Sequence, residues 1–142
     1  MLFQRINRTD PEKVFVVAKN SYSTASLTNG QVVNWDYTTD ADGVGVTKPA
    51  DTTGFAVAGL AAETIAHNSY GLIQVYGYHS AGRVDGSSGL GAGSALGTFS
   101  ASFALIHFST GSDAVLKFPS AFCMEAYSTG ASAAKKVFIK AL

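Results

Sequence analysis

The segment "SYGLIQVYGYHSAGRV", residues 69–84, decides the fold class. Its side chains alternate between two sets, as they do along an extended chain. One set is Leu72, Gln74, Tyr76 and Tyr78, and the other is Ile73, Val75, Gly77 and His79. Tyrosine suits a half-buried sheet surface, because its ring packs while its hydroxyl reaches water. We therefore predict a central β-strand here, whose tyrosine face packs on a sheet or on a partner, and not a catalytic site.

Short extended segments separated by turn formers continue on both sides of this strand. Val14–Ala18 is a β-branched run, and the turn signal Asn29-Gly30 precedes a second predicted strand, Gln31–Tyr37. Further strands are predicted in "FALIHF", "AVLKF", "AFCMEAYS" and "KKVFIKAL". The sequence has no convincing apolar stripe with the 3.6-residue period of a helix. The predicted class is all-β: a single small β-barrel, β-tulip-like or sandwich domain with an extended N-terminal arm.

The stretch "TTDADGVGVTKPADTTG", Thr38–Gly54, contains mostly turn formers and small residues. Such a composition is typical of a linker or of an arm that lies along a neighbouring subunit. We therefore divide the chain into residues 1–54, with N-terminal strands and the arm, and residues 55–142, a compact β domain.

The amino-acid composition limits which classes of function are possible. The 142 residues suffice for one domain, and only 14% of them are charged, against about 25% in an ordinary soluble domain. Ten acidic and ten basic residues give a net charge of zero, without the basic cluster that nucleic-acid binding requires. Few charges also mean little repulsion between crowded copies. We expect synthesis in the cytoplasm and neither a nucleic-acid nor a membrane partner, since no secretory signal or apolar run of about 20 residues occurs.

Residues capable of catalysis or metal binding are present, but their pattern is not that of a site. The histidines His67, His79 and His107 lie in separate segments, without the close spacing of zinc ligands. The single cysteine, Cys123, lies in an apolar run and is expected to be a small buried hydrophobe. The glycines of "GLGAGSALG" have no helix after them, so turns explain them better than a phosphate-binding loop. We expect no enzyme activity, cofactor or metal.

Several stretches together resemble small virion proteins of tailed bacteriophages: "RTDPEKVFVVAKNS", "NGQVVNWDYTTDADGVGVTKP", "AGLAAETIAHNSYGLIQVYGYHSAGRV" and "KKVFIKAL". More locally, the order of "AGLAAETIAHNSYGLIQVYGY", a glycine-rich turn with "GAGSAL", and "AFCMEAYSTG" resembles head decoration proteins of the β-tulip kind. The sequence departs from that pattern at His67-Asn68, where small residues and glycine are expected.

The resemblance implies a non-catalytic capsid decoration or cement protein on the outer surface of a phage head. Its partners would then be the major capsid protein and neighbouring copies of itself, and a homotrimer, a dimer and a monomer are all allowed. A neck, tail or fibre-base component is the alternative, followed by a small β-barrel ligand-binding protein. Since aromatic residues dominate interface energetics, the predicted contact residues are Trp35, Tyr37, Tyr76 and Tyr78.

Overall fold

The computed structural model describes residues 11–23, 25–39, 42–50, 56–98, 101–108 and 119–141. These residues form nine β-strands and no helix, which confirms the all-β class. The strands are β1 (Lys13–Asn20), β2 (Val32–Trp35), β3 (Gly45–Thr47), β4 (Val57–Ala61), β5 (Tyr70–Asp85), β6 (Ala95–Gly97), β7 (Ile106–His107), β8 (Ala121–Cys123) and β9 (Ser132–Lys140). The described residues accordingly include no helix that is long and apolar enough to cross a membrane.

Five of the strands form a closed ring. The sheet order is β1-β3-β2-β4-β5-β9-β8-β6-β7, and β1 also pairs with β5. Because of this additional pairing, the first five strands in the order, from β1 to β5, close into a ring. Only β1 and β3 run parallel; the other neighbours are antiparallel. Strands β9, β8, β6 and β7 continue from the second half of β5 as an open extension.

Two hydrophobic clusters lie on opposite sides of β2 and β4. The cluster inside the ring contains Ala18, Leu27, Val33, Val46, Ala58, Ala61, Ile65, Ile73 and Val75. The other contains Val32, Val57, Leu60, Val84, Leu90, Leu96, Leu105, Ala121, Cys123, Val137 and Ile139. Successive residues of a strand point to opposite faces, so β2 and β4 contribute to both clusters. Every residue of β4 is buried as a result.

A glycine is required in the middle of β4. Gly59 has a φ of 151°, and the pairing of β4 with β2 shifts register beside it. A Cβ atom at Gly59 would lie 2.2 Å from the carbonyl oxygen of Gln74. The bulge therefore brings the β4 backbone against β5 more closely than any side chain allows.

Strand β5 pairs with both the first and the last described strand. Its residue Gly77 pairs with Lys13 at the start of β1 on one side and with Ile139 near the end of β9 on the other. The first and last strands are thus neighbours of the same short piece of β5.

The predicted alternation of residues 72–79 is confirmed, and three other predictions need correction. Asn29-Gly30 forms a turn but not a hairpin, because Leu27 before it bridges to Ile65 and β2 after it pairs with β3 and β4. The backbone of Gly30 lies against that of Ala81, with a hydrogen bond from Arg83 N–H to Gly30 O of 2.8 Å, which fixes the turn against β5.

The second correction concerns Thr38–Gly54, for which we predicted a linker or arm. The middle of this stretch is β3, which pairs with both β1 and β2 inside the ring. Strands on both sides of residue 54 also pair directly, β2 with β4, so the described parts of residues 1–54 and 55–142 share one sheet.

The third correction concerns "FALIHF", which we predicted to be a short buried strand. Its residues Ala104 and Leu105 are buried, and Leu105 bridges to Val84, but the regular strand is only the two-residue β7. The residues of β7 are half-buried because β7 ends the sheet order. Cys123 is completely buried, as predicted. The predicted strand "AVLKF", residues 114–118, lies outside the described residues.

Candidate interaction surface

Large apolar side chains are exposed on the outer side of β1 and β5. We name the following five residues the apolar strip, with the exposed fraction of each: Phe15 40%, Val17 64%, Tyr70 62%, Leu72 40% and Tyr76 37%. Contiguous exposed apolar residues of this kind mark contact surfaces in soluble proteins more often than isolated ones do.

The register of the two strands explains the strip. Val17 lies directly opposite Leu72, and Lys19 lies directly opposite Tyr70. Residues that face each other across an antiparallel pair lie on the same face. The alternate residues Ala18 and Ile73 fill the interior of the ring, so their neighbours must point outward. The closed ring therefore creates the exposed strip.

Aromatic contacts extend the strip from β5 across β9 to β8. The ring of Tyr76 meets the ring of Phe138 edge-on, with a centroid distance of 5.2 Å, and Phe138 stacks on Phe122 at 5.1 Å. Tyr78 pairs with Phe138 in the sheet. These contacts hold the Tyr76 ring in place, which lowers the entropy that a partner would have to remove on binding.

The four predicted contact residues form two pairs. Tyr76 is exposed and Tyr78 half-buried, and both lie on the outer face of β5. Trp35 is half-buried and packs against the cluster inside the ring, while Tyr37 is 54% exposed. Trp35 and Tyr37 line a small depression of about 70 Å³. Their role in binding stays a prediction.

Sequence reasoning missed four residues of the strip: Phe15, Val17, Tyr70 and Leu72. A signal was present for two of them, since "VFVV" at residues 14–17 is apolar at every position. One face of β1 closes the ring, so an apolar run leaves the other face apolar as well. Without knowledge of the ring, that run predicts only a buried strand.

The turn that follows β2 is fixed by Asp36. Its Oδ1 accepts hydrogen bonds from the backbone N–H of Thr38 at 3.2 Å and of Thr39 at 3.0 Å, and both threonine hydroxyls also donate to the carboxylate. Burial alone would raise the pKa of Asp36, but the hydrogen bonds from Thr39 and Thr38 outweigh it and lower that pKa below its usual value. The turn presents Tyr37 to solvent.

A larger depression of about 500 Å³ adjoins the strip at Tyr70. Its lining is Lys19, Ser21, Thr39, Asp42, Val44, Asn68 and Tyr70. Asn68 takes a left-handed conformation, with a φ of 61°, at the turn before β5. Within the described ranges no group of three or more His, Cys, Asp or Glu side chains is arranged to hold a metal ion. The apolar strip has polar side chains beside it at its Tyr70 end.

His79 is the buried titratable group of β5. Its Nδ1 accepts a hydrogen bond of 3.1 Å from the N–H of Ala81. Burial, and next the positive charge of Lys13, lower the pKa of His79 below 6.5, although a backbone hydrogen bond at Ala61 acts in the opposite direction. The folded protein therefore keeps this imidazole neutral at a pH at which the unfolded chain protonates it.

We predict that His79→Gln makes stability less sensitive to acid. Because the pKa of His79 is lowered on folding, the unfolded state binds more protons, and stability falls as the pH drops below about 6.5. Denaturant unfolding at pH 7 and pH 5 measures this loss. His67→Gln, at an exposed histidine, is the matched control and should keep the full loss. An equal loss in the His79 variant and the wild type would contradict the prediction.

Comparison with known proteins supports a fold but no family. No protein-family model and no curated protein matches the chain. Among solved structures, the chain is similar to the N base of the head fiber gp8.5 of bacteriophage phi29, with a TM-score of 0.55. The match covers 92% of this chain and 96% of that chain at 13% sequence identity. Over nearly its whole length, therefore, this chain shares the fold of a phage head-fiber base.

Proposed function

We propose that the protein is a non-enzymatic structural component of a bacteriophage virion, attached to the outer surface of the head. The observation that carries this proposal is the fold likeness to the N base of the phi29 head fiber, which covers almost all of both chains. The resemblance of the sequence to small virion proteins supports the same function independently of the fold.

The apolar strip supports attachment to a protein surface. It combines two tyrosines and a phenylalanine with aliphatic residues, and aromatic side chains are enriched in the centres of protein interfaces. The low charge of the chain, 14% of residues, suits close packing beside other subunits. In the proposed function, the strip faces the major capsid protein or a neighbouring copy.

Two forms of this function differ in what the protein does on the head. A decoration protein covers the shell and stabilises it, which the order of sequence elements favours. A base anchors a projecting fibre, which the fold neighbour favours. Both forms need the same attachment surface.

The copy number of the protein in purified particles tests the proposal and separates its two forms. Quantitative peptide mass spectrometry would measure the ratio of this chain to the major capsid protein. A ratio of one or a simple fraction, such as one third, is expected of a decoration protein. A much smaller ratio is expected of a fibre base or of a neck or tail component. Absence of the chain from the particles would overturn the proposal.

A further inference from the structure

Among the described strands, none pairs with most of the β1 edge that faces away from β5. Strand β3 pairs with this edge only at Lys19 and Asn20. Along Lys13–Ala18, no other strand within the described residues pairs with β1 on that side. An unpaired edge presents a row of N–H and C=O groups to which another extended chain can bind.

The direction of each backbone N–H group follows from the hydrogen bonds at the end of β1 that pairs with β3. The N–H of Asn20 donates to Ser69 O on the β5 side, whereas the N–H of Lys19 donates to Val44 O on the β3 side. The directions alternate along a strand. The N–H groups of Val17 and Phe15 therefore point outward at the open edge. Before Phe15 the register of β1 against β5 shifts, so the alternation holds from Phe15 to Asn20.

Two apolar side chains along this edge are exposed to solvent. Val17 is 64% exposed and Phe15 40%, and both belong to the apolar strip. A chain that bonds to the edge would also cover these two side chains. Main-chain bonds and apolar contacts together are the basis of strand addition.

The charges of β1 favour a foreign chain over a second copy. Lys13 and Lys19 bracket the open edge, and no acidic residue lies between them. Two copies joined through β1 would bring four lysines to one strand pair, and like charges across strands are destabilising. Lysine on an edge strand is a common device against self-pairing. A strand with an acidic residue near Lys13 has the complementary charge.

We propose that β1 accepts an extended segment of a different polypeptide, with apolar residues at alternate positions and an acidic residue near Lys13, as an added strand. The inference rests on the proposed function, in which that polypeptide is the shell protein of the head. Phe15 and Val17 form the main-chain bonds, and the apolar strip receives the partner's side chains.

Hydrogen exchange on the intact protein tests the proposal directly. In the free protein, the amides of Phe15 and Val17 should exchange faster than those of Val16 and Ala18, which bond to β5. Binding to particles assembled without the protein should slow the two outward amides at least about tenfold. Unchanged exchange of these amides in bound protein would overturn the proposal.

The variant Val17→Pro removes one outward N–H without removing a bond to β5, since proline is tolerated on the free side of an edge strand. Its attachment should weaken about tenfold, the loss expected for one hydrogen bond. Val17→Thr keeps the N–H and should attach within about threefold of the wild type. Equal attachment of both variants would contradict strand addition. If Val17→Pro fails to fold, the exchange experiment on the wild type decides.

The outcomes separate this inference from the proposed function. If the wild type does not bind the particles at all, the proposed function fails. If the wild type binds and the outward amides stay unprotected, only strand addition fails. Formation of a dimer with protected outward amides, in the absence of particles, would show that the edge takes a second copy and would overturn the choice of a foreign chain.

Discussion

Replacing Gly59 by alanine is expected to destabilise the protein by more than about 3 kcal/mol, the range associated with severe overpacking and backbone strain. A Cβ at this position would lie 2.2 Å from Gln74 O and 2.9 Å from Cγ2 of Ile73. The first contact is with backbone, so no side-chain rotation relieves it. The φ of 151° adds strain for any residue with a Cβ.

The loss in Gly59→Ala should affect both hydrophobic clusters, because β4 contributes to each of them. Gly43→Ala is the matched control: Gly43 has a φ of 71°, but a Cβ there would meet nothing within 4 Å. This control should lose only about 1 kcal/mol, the cost of the backbone conformation. Denaturant unfolding of both variants measures the difference, and equal losses would show that the contact between β4 and β5 is not limiting.

The double variant Tyr70→Ser, Leu72→Ser should reduce attachment to phage heads more than about 100-fold, if the apolar strip is the contact surface. Tyr70 is 62% exposed and Leu72 40%, so their loss removes surface available to a partner with little effect on the core. Stability should accordingly stay within about 1 kcal/mol of the wild type. Binding of the labelled protein to particles assembled without it measures the effect.

Tyr37→Ser tests the second predicted contact surface in the same experiment. Tyr37 is 54% exposed but lies at the turn after β2, outside the strip. Attachment like that of the wild type would leave the apolar strip as the contact surface. If Tyr37→Ser weakens attachment while the double variant does not, the contact lies at the Trp35 and Tyr37 depression and the strip has another role.

The local pattern of the sequence predicted the longest strand well. In β5 the alternation of residues 72–79 is confirmed, since Ile73, Val75 and His79 are buried and Leu72 and Tyr76 exposed. Gln74 is the exception: it is buried, and its Nε2 donates to the carbonyl oxygens of Tyr76 and Tyr78 at 3.2 and 3.0 Å. The hydrophobic pattern of a sequence does not show that a polar side chain is buried through hydrogen bonds to its own strand.

The closure of the ring was not predictable from local pattern. It depends on the pairing of β1 with β5, which are separated by about 50 residues, and on β3, a three-residue strand among turn formers. Both are long-range contacts, whereas periodicity reports only on neighbours in the chain. The strip and the open edge follow from the closure, and for that reason the sequence predicted only Tyr76 and Tyr78 of this surface.

The position of β1 and β9 on either side of Gly77 has a consequence for proteins that are fused to this chain. Neighbouring strands are about 4.8 Å apart, so the start of β1 and the end of β9 lie roughly 10 Å from each other. A domain fused before β1 and a domain fused after β9 would stand at almost the same place. The start of β1 and the end of β9 are therefore neighbouring points of the fold, and a short peptide that joins them would give a circular permutant of the described strands.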